Sequence, residues 1–216
     1  MNKIGSTSKF LLPFLFFLTA CASMQVAREV QSGRMALRLT DPKTAISHFE
    51  EAARLNPDYI TDFTPLKIGI WTYLGRAYYE AGDREKALAI LKRARERHTS
   101  DDYVAPLYLG LLMVQDGSRS EGAKLIEEGL KDLHAWLETL PSAIEEGRYW
   151  DPGKRLMKTM SQTLEMLQAK ETDWKGVTEN VQWLGQKLDE EIEEVRKQKA
   201  REREGDGKDR DGGTSR

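Results

Sequence analysis

Apolar residues recur three or four positions apart along most of this chain and rarely alternate singly, which is the period of a helix burying one face. The clearest stripes lie in the C-terminal third. Leu156, Met157, Met160, Leu164 and Leu167 form one, and Trp174, Val177, Val181, Leu184, Leu188, Ile192 and Val195 form a second, longer one, capped near Thr172 or Asp173. A helical pattern from Ser120 to about Leu140 is expected to stop at Pro141, and Asp151-Pro152 is expected to open the next helix after a turn at Gly147–Gly153. Further upstream, Asp41-Pro42, Gly82-Asp83 and Gly117-Ser118 each pair a helix stop or cap with a new start, and Thr64-Pro65 reads as another start. Two segments lack the period. Phe10 to Leu18 is continuously apolar, and beyond Ala200 no large apolar residue occurs, so residues 200–216 are expected to be a disordered tail.

Small residues repeat on a longer scale. Gly75 is followed twelve residues later by Ala87, then by Leu91 and Ala94; Gly33 is followed by Ala45, Phe49 and Ala52, and Gly110 by Gly122, Ile126 and Gly129. The small residue of a first helix admits a second helix closely, and large residues such as Trp71, Leu74 and Tyr78 fill the remaining space. Trp71-Thr72-Tyr73-Leu74-Gly75-Arg76-Ala77-Tyr78 also matches W-x2-L-G-x2-Y letter for letter. The chain therefore resembles the tetratricopeptide repeat family. The resemblance implies an all-α fold, a short solenoid of helical hairpins over residues 21–140 with C-terminal capping helices over 141–199. Three units are expected at 26–59, 68–101 and 103–136, with about eight extra residues (Ile60 to Lys67) between the first two. Glu29 and Ser32 replace the Trp and Leu of the first unit. Pro106 replaces the Trp of the third, where His134 also stands in place of a closing Pro, as in a short array with atypical ends.

In arrays of this family the first helices line a concave groove that takes a peptide or a partner helix. Here the groove positions implied are Arg34, Leu37 and Arg38, then Thr72, Arg76, Tyr79 and Glu80, then Leu107, Leu111 and Gln115. Arg34, Arg38 and Arg76 could clamp a carboxylate, while Leu107 and Leu111 either take an apolar anchor or receive the chain's own C-terminal helices. The last stripe is read as a cap over the open end of the solenoid in preference to a coiled-coil seam, because it spans only about three heptads and its flanks are mostly acidic. Tyr59, Phe63, Tyr149 and Trp150 are further aromatic candidates, Trp150 being read as packed beneath its neighbours.

Composition changes this picture at the N-terminus. Lys3 and Lys9 precede the apolar run, which is shorter than the ~20 residues that span a bilayer, and the run ends in Leu18-Thr19-Ala20-Cys21. This resembles a bacterial lipoprotein signal peptide (residues 1–20) with its lipobox. The resemblance implies cleavage before Cys21, a diacylglycerol on its sulfur and a palmitate-type chain on the new amine. Ala22, in place of Asp, implies the outer membrane, facing the periplasm. The processed chain would carry 31 basic and 35 acidic residues, a formal charge of −4, which exerts no strong pull on nucleic acid. Cys21 is the only cysteine, so no disulfide supports the fold. A first helix starting near Met24 or Gln25 would leave a tether of about three or four residues, reaching ~10–15 Å and holding the body near the headgroups.

Candidate chemistry is sparse. His48, His98 and His134 stand apart without metal-ligand spacing; no glycine-rich phosphate loop and no G-x-S-x-G nucleophile motif occurs. No cofactor, metal or enzymatic activity is expected. The expected function is a protein-binding adaptor or assembly factor for an envelope complex, with protein partners in the bacterial envelope and the membrane reached through lipidated Cys21. The alternative is a periplasmic solute-binding tetratricopeptide protein associated with a transporter, which a large enclosed apolar cavity would favour.

Overall fold

A computed structural model describes residues 12–61, 64–97 and 102–211, with side chains from Ser23 to Glu202 apart from positions 142, 143, 145 and 146 within those ranges. Eight α-helices follow one another: α1 (Leu12–Arg38), α2 (Pro42–Leu55), α3 (Ile70–Glu80), α4 (Arg84–Arg97), α5 (Val104–Gln115), α6 (Arg119–Ala143), α7 (Arg155–Gln168) and α8 (Trp174–Asp211), with a 3-10 turn (Glu145–Tyr149) before α7. Among the described residues there is no strand, only one isolated bridge between Ile60 and Gly69.

Helices α1–α2, α3–α4 and α5–α6 are antiparallel hairpins stacked in order, and each closes on the glycine of its first helix. A methyl group added at Gly33 would stand 2.5 Å from Phe49, at Gly75 2.6 Å from Leu91, and at Gly110 2.6 Å from Ile126 and 2.7 Å from the Gly122 carbonyl. The partner in each case lies sixteen residues on, so one contact is made three times. The hairpin turns are equivalent too. Gly82 and Gly117 take positive φ, 80° and 94°, two residues past the ends of α3 and α5. The corresponding residue after α1 is Thr40, at φ 56°. A β-branched residue there is disfavoured by about 1–2 kcal/mol relative to glycine. Two of the expected caps form, with Asp41 accepting from the Thr44 amide at 3.1 Å and Asp83 from the Lys86 amide at 3.2 Å, whereas Ser118 makes no side-chain cap bond at the start of α6.

Five boundaries differ from expectation, the start of α1 among them. Helix α3 begins at Ile70, not at Thr64-Pro65, because Leu66 and Ile68 are buried and the Thr61 and Thr64 hydroxyls both donate to the Leu66 carbonyl, keeping that stretch out of helix. Helix α6 passes through Pro141 to Ala143; the imide forfeits one amide donor, but the Ile144 amide still reaches the Leu140 carbonyl at 3.2 Å. Asp151-Pro152 does not open α7, which starts at Arg155, yet the Asp151 carboxylate still caps it by accepting from Leu156 and Met157 at 3.0 Å each. Helix α8 runs on from Ala200 to Asp211, with Lys197 paired to Glu194 at 2.7 Å and Glu202 held by Tyr149 and Arg148. Residues 212–216 lie outside the described part.

Helix α1 is unbroken from Leu12, so it does not begin near Met24; Cys21 lies within it, though its side chain is outside the described residues. Residues 1–11, Phe63 and His98 also lie outside.

Candidate functional site

The concave face of the stack is formed by α1, α3 and α5, and α8 lies in it. Helix α7 packs on α6 at the end of the stack, and α8 then returns toward α1 instead of lying flat over that end. It runs antiparallel to the first helices: Gln182 meets Tyr79 near the end of α3, whereas Glu193 meets Gln31 further toward the start of α1. Its apolar stripe (Val177, Val181, Leu184, Leu188, Ile192, Val195) is buried within the chain, so the period read from the sequence is spent internally. The expected open groove is therefore filled in this structure.

At the centre of the contact is a buried ion cluster. Asp189, 1% exposed, sits between two guanidinium groups: Arg76 Nη1 at 2.6 Å from Oδ2 and Arg34 Nε at 3.5 Å from Oδ1. Arg34 also reaches Glu193 at 3.0 Å and the Gln31 amide oxygen at 3.1 Å. Arg76 pairs with Glu80 at 2.8 Å, and its guanidinium lies 5.5 Å from the Tyr108 ring centre. Burial works against the charge on Arg76, but Asp189, Tyr108 and Glu80 outweigh it and hold the group well above its ordinary value. Burial likewise tends to raise Glu193, and is outweighed by the Gln31 hydrogen bond and by Arg34 and Arg196, which leave its carboxyl below the usual range.

Each residue expected at a partner surface can now be placed. Arg34 and Arg76 hold a carboxylate, but it belongs to the chain itself. Tyr79 accepts from Gln115 and Gln182 at 3.1 Å each and packs edge-on to Tyr108 at 5.4 Å. Glu80 is the partner of Arg76. Leu107 is buried facing α6, where it fills the space beside Gly129, so it is not a groove position. Leu111 stands one residue after Gly110, as Arg34 and Arg76 follow Gly33 and Gly75, and is buried with 1% exposure. Arg38 is exposed at the end of α1. Trp150 is buried and meets Trp136 edge-on at 5.2 Å.

Three residues that carry this arrangement had no signal of their own. Asp189 lies in the acidic run Asp189-Glu190-Glu191, where nothing separates it from solvated neighbours. Gly185 lets α8 settle on α5, because any Cβ there would collide with the Tyr108 hydroxyl. Asp102 accepts from the Gly69 amide (2.8 Å), the Thr72 hydroxyl (2.6 Å) and the Val104 and Ala105 amides (3.2 Å each), tying the starts of α3 and α5 together.

No group of three metal-ligating side chains occurs among the described residues, and none of their helices is long and apolar enough to cross a membrane. His48 faces Glu29 at 2.8 Å and His134 faces Glu138 at 3.7 Å.

Residues 36–111 match the family model of the tetratricopeptide repeat, from the last turn of α1 to the middle of α5. That segment is thus similar to tetratricopeptide repeats, whose general role is to mediate protein–protein interaction and which typically serve as scaffolds, not catalysts. No curated protein and no solved structure matches the chain.

Proposed function

We propose that this protein is an outer-membrane lipoprotein, held through a lipidated Cys21 on the periplasmic face, that acts as an adaptor or assembly factor for an envelope protein complex. The repeats supply the interaction scaffold, and the lipobox-like Leu18–Cys21 supplies the address. The observation that carries the reading furthest is the continuity of α1. It runs through Cys21 without a break and is buried in the first repeat from Val26 onward. Cleavage before Cys21 would leave the lipid-bearing residue only five positions, about 7.5 Å of helix, from the packed body. Such a body would lie against the headgroups, and its partner would be membrane-embedded or membrane-proximal. A solute-binding role beside a transporter fits less well, because α8 occupies the concave space that a chamber would need.

The test is made in intact cells. Labelled palmitate should enter the wild-type chain and not Cys21→Ser, and crosslinking should join the anchored form to one envelope protein. A flexible ten-residue insert directly after Cys21 should weaken that crosslink. Labelling that survives Cys21→Ser would sink the anchor, and a crosslink indifferent to the insert would sink the membrane-proximal partner.

A further inference from the structure

With the concave face occupied, the least satisfied surface of the repeats lies on the opposite side. Between α2 and α4 runs a crevice of about 390 Å³ whose floor is Trp71, Leu74 and Tyr78 of α3. Its walls are low at Ala53 on α2 and Ala89 on α4, above a floor whose residues are each under a tenth exposed. This volume is at the lower end of the roughly 300–1,000 Å³ of pockets that hold small ligands.

The rim is basic. Arg54 and Lys86 border the opening, and Arg93 lies flat on Trp71 with its guanidinium 3.6 Å from the ring centre and no carboxylate partner among the described residues. Lys86 stands 5.1 Å from the Tyr78 ring centre. Of the neighbouring acids, Glu50 accepts from the Tyr78 hydroxyl at 2.5 Å, Glu51 pairs with Arg54 at 2.6 Å and Asp83 with Lys86 at 3.2 Å, both ion pairs being exposed. Helix α4 carries six basic residues against two acidic ones, in a chain whose formal charge is −2.

We propose that this outer crevice docks an acidic peptide segment bearing one apolar or aromatic anchor residue, the anchor entering over Leu74 beside Ala89 and Ile90, and flanking carboxylates meeting Lys86 and the Arg93 that lies on Trp71. Charge complementarity selects the acidic partner. Lys86 and Arg93 are seven residues apart on α4, about 10.5 Å along the helix, which suits carboxylates on either side of a single anchor. A recessed floor between two helices suits a protruding side chain better than a flat lipid surface. The proposal deepens the adaptor reading and rests on it.

The probe is a fluorescein-labelled peptide, Glu-Asp-Glu-Leu-Phe-Asp-Glu-Glu, titrated into the signal-less chain (residues 22–216) at low salt, with phosphatidylglycerol vesicles as a second probe. Binding by the peptide is expected to fall at least tenfold in Ala89→Trp, which fills the crevice, in the pair Lys86→Glu with Arg93→Glu, and when the peptide's Phe is replaced by Ser. Circular dichroism and melting should stay as in the wild type. A peptide that does not bind, or that binds the three variants alike, overturns the proposal; so does vesicle binding that the same variants abolish, which would make the crevice a lipid site. An envelope crosslink that persists in Ala89→Trp would sink the crevice and leave the adaptor standing. Loss of all crosslinks from the wild type would sink the adaptor itself.

Discussion

The two sides of the same repeats are finished differently. On the concave side, two arginines one repeat apart are taken up by Asp189 together with Glu193 and Glu80, and the surrounding apolar stripe of α8 is buried. On the outer side, exposed basic residues border a shallow crevice whose aromatic floor is nearly buried and carries Arg93 on Trp71. Both faces arise from the same packing: the small residues that let each hairpin close leave large residues of the first helices facing the groove on one side and the crevice on the other. The difference lies in desolvation. A carboxylate between two buried guanidinium groups is held only while every member is present, whereas exposed charges on the rim are individually expendable.

That contrast can be broken most sharply at Asp189. Asp189→Ala leaves Arg34 and Arg76 buried and facing each other, and urea unfolding should show a loss of about 3–5 kcal/mol with faster amide exchange along α8. A loss under about 1 kcal/mol would mean the cluster is hydrated and the two faces are alike. Gly110→Ala acts on the hairpin that both faces share. Its methyl would press on the Gly122 carbonyl and Ile126, and a destabilisation of about 1–3 kcal/mol is expected by thermal melting. Thr40→Gly acts in the opposite direction, raising stability by about 1 kcal/mol through relief of the positive φ at the turn; an unchanged midpoint would show that the Thr40 backbone is not strained. The smallest effect belongs to the outer rim. Lys86→Glu, at a side chain 62% exposed, should leave stability within about 0.5 kcal/mol of wild type.

Much of the scaffold was legible because it depends on local spacing. The pairs Gly33–Phe49, Gly75–Leu91 and Gly110–Ile126 are sixteen residues apart, and two of the three turns carry a glycine stop at the same offset, so periodicity exposes them. Arg34 and Arg76 were legible as cations of the groove for the same reason, whereas Arg38, read beside them, is exposed at the end of α1. The clamped group was not legible. Asp189 lies 155 residues from Arg34 and 113 from Arg76, and no period links an acidic run on α8 to a repeat near the N-terminus. Leu107 was misplaced because a helix fully buried on nearly every side, as α5 is, has no polar face from which to read its orientation. The start of α3 was missed because Thr64-Pro65 looks like a cap, while the hydroxyl that would have capped a helix is used to brace the preceding loop.

Gly185 is a point at which the packing of α8 is exposed to mutation. A single base change in a glycine codon reaches alanine, valine, aspartate or arginine, and each of these would set a side chain against the Tyr108 hydroxyl where α8 rests on α5. One nucleotide therefore separates this chain from one in which the seat of α8 on α5 is strained, without altering a single residue of the repeats.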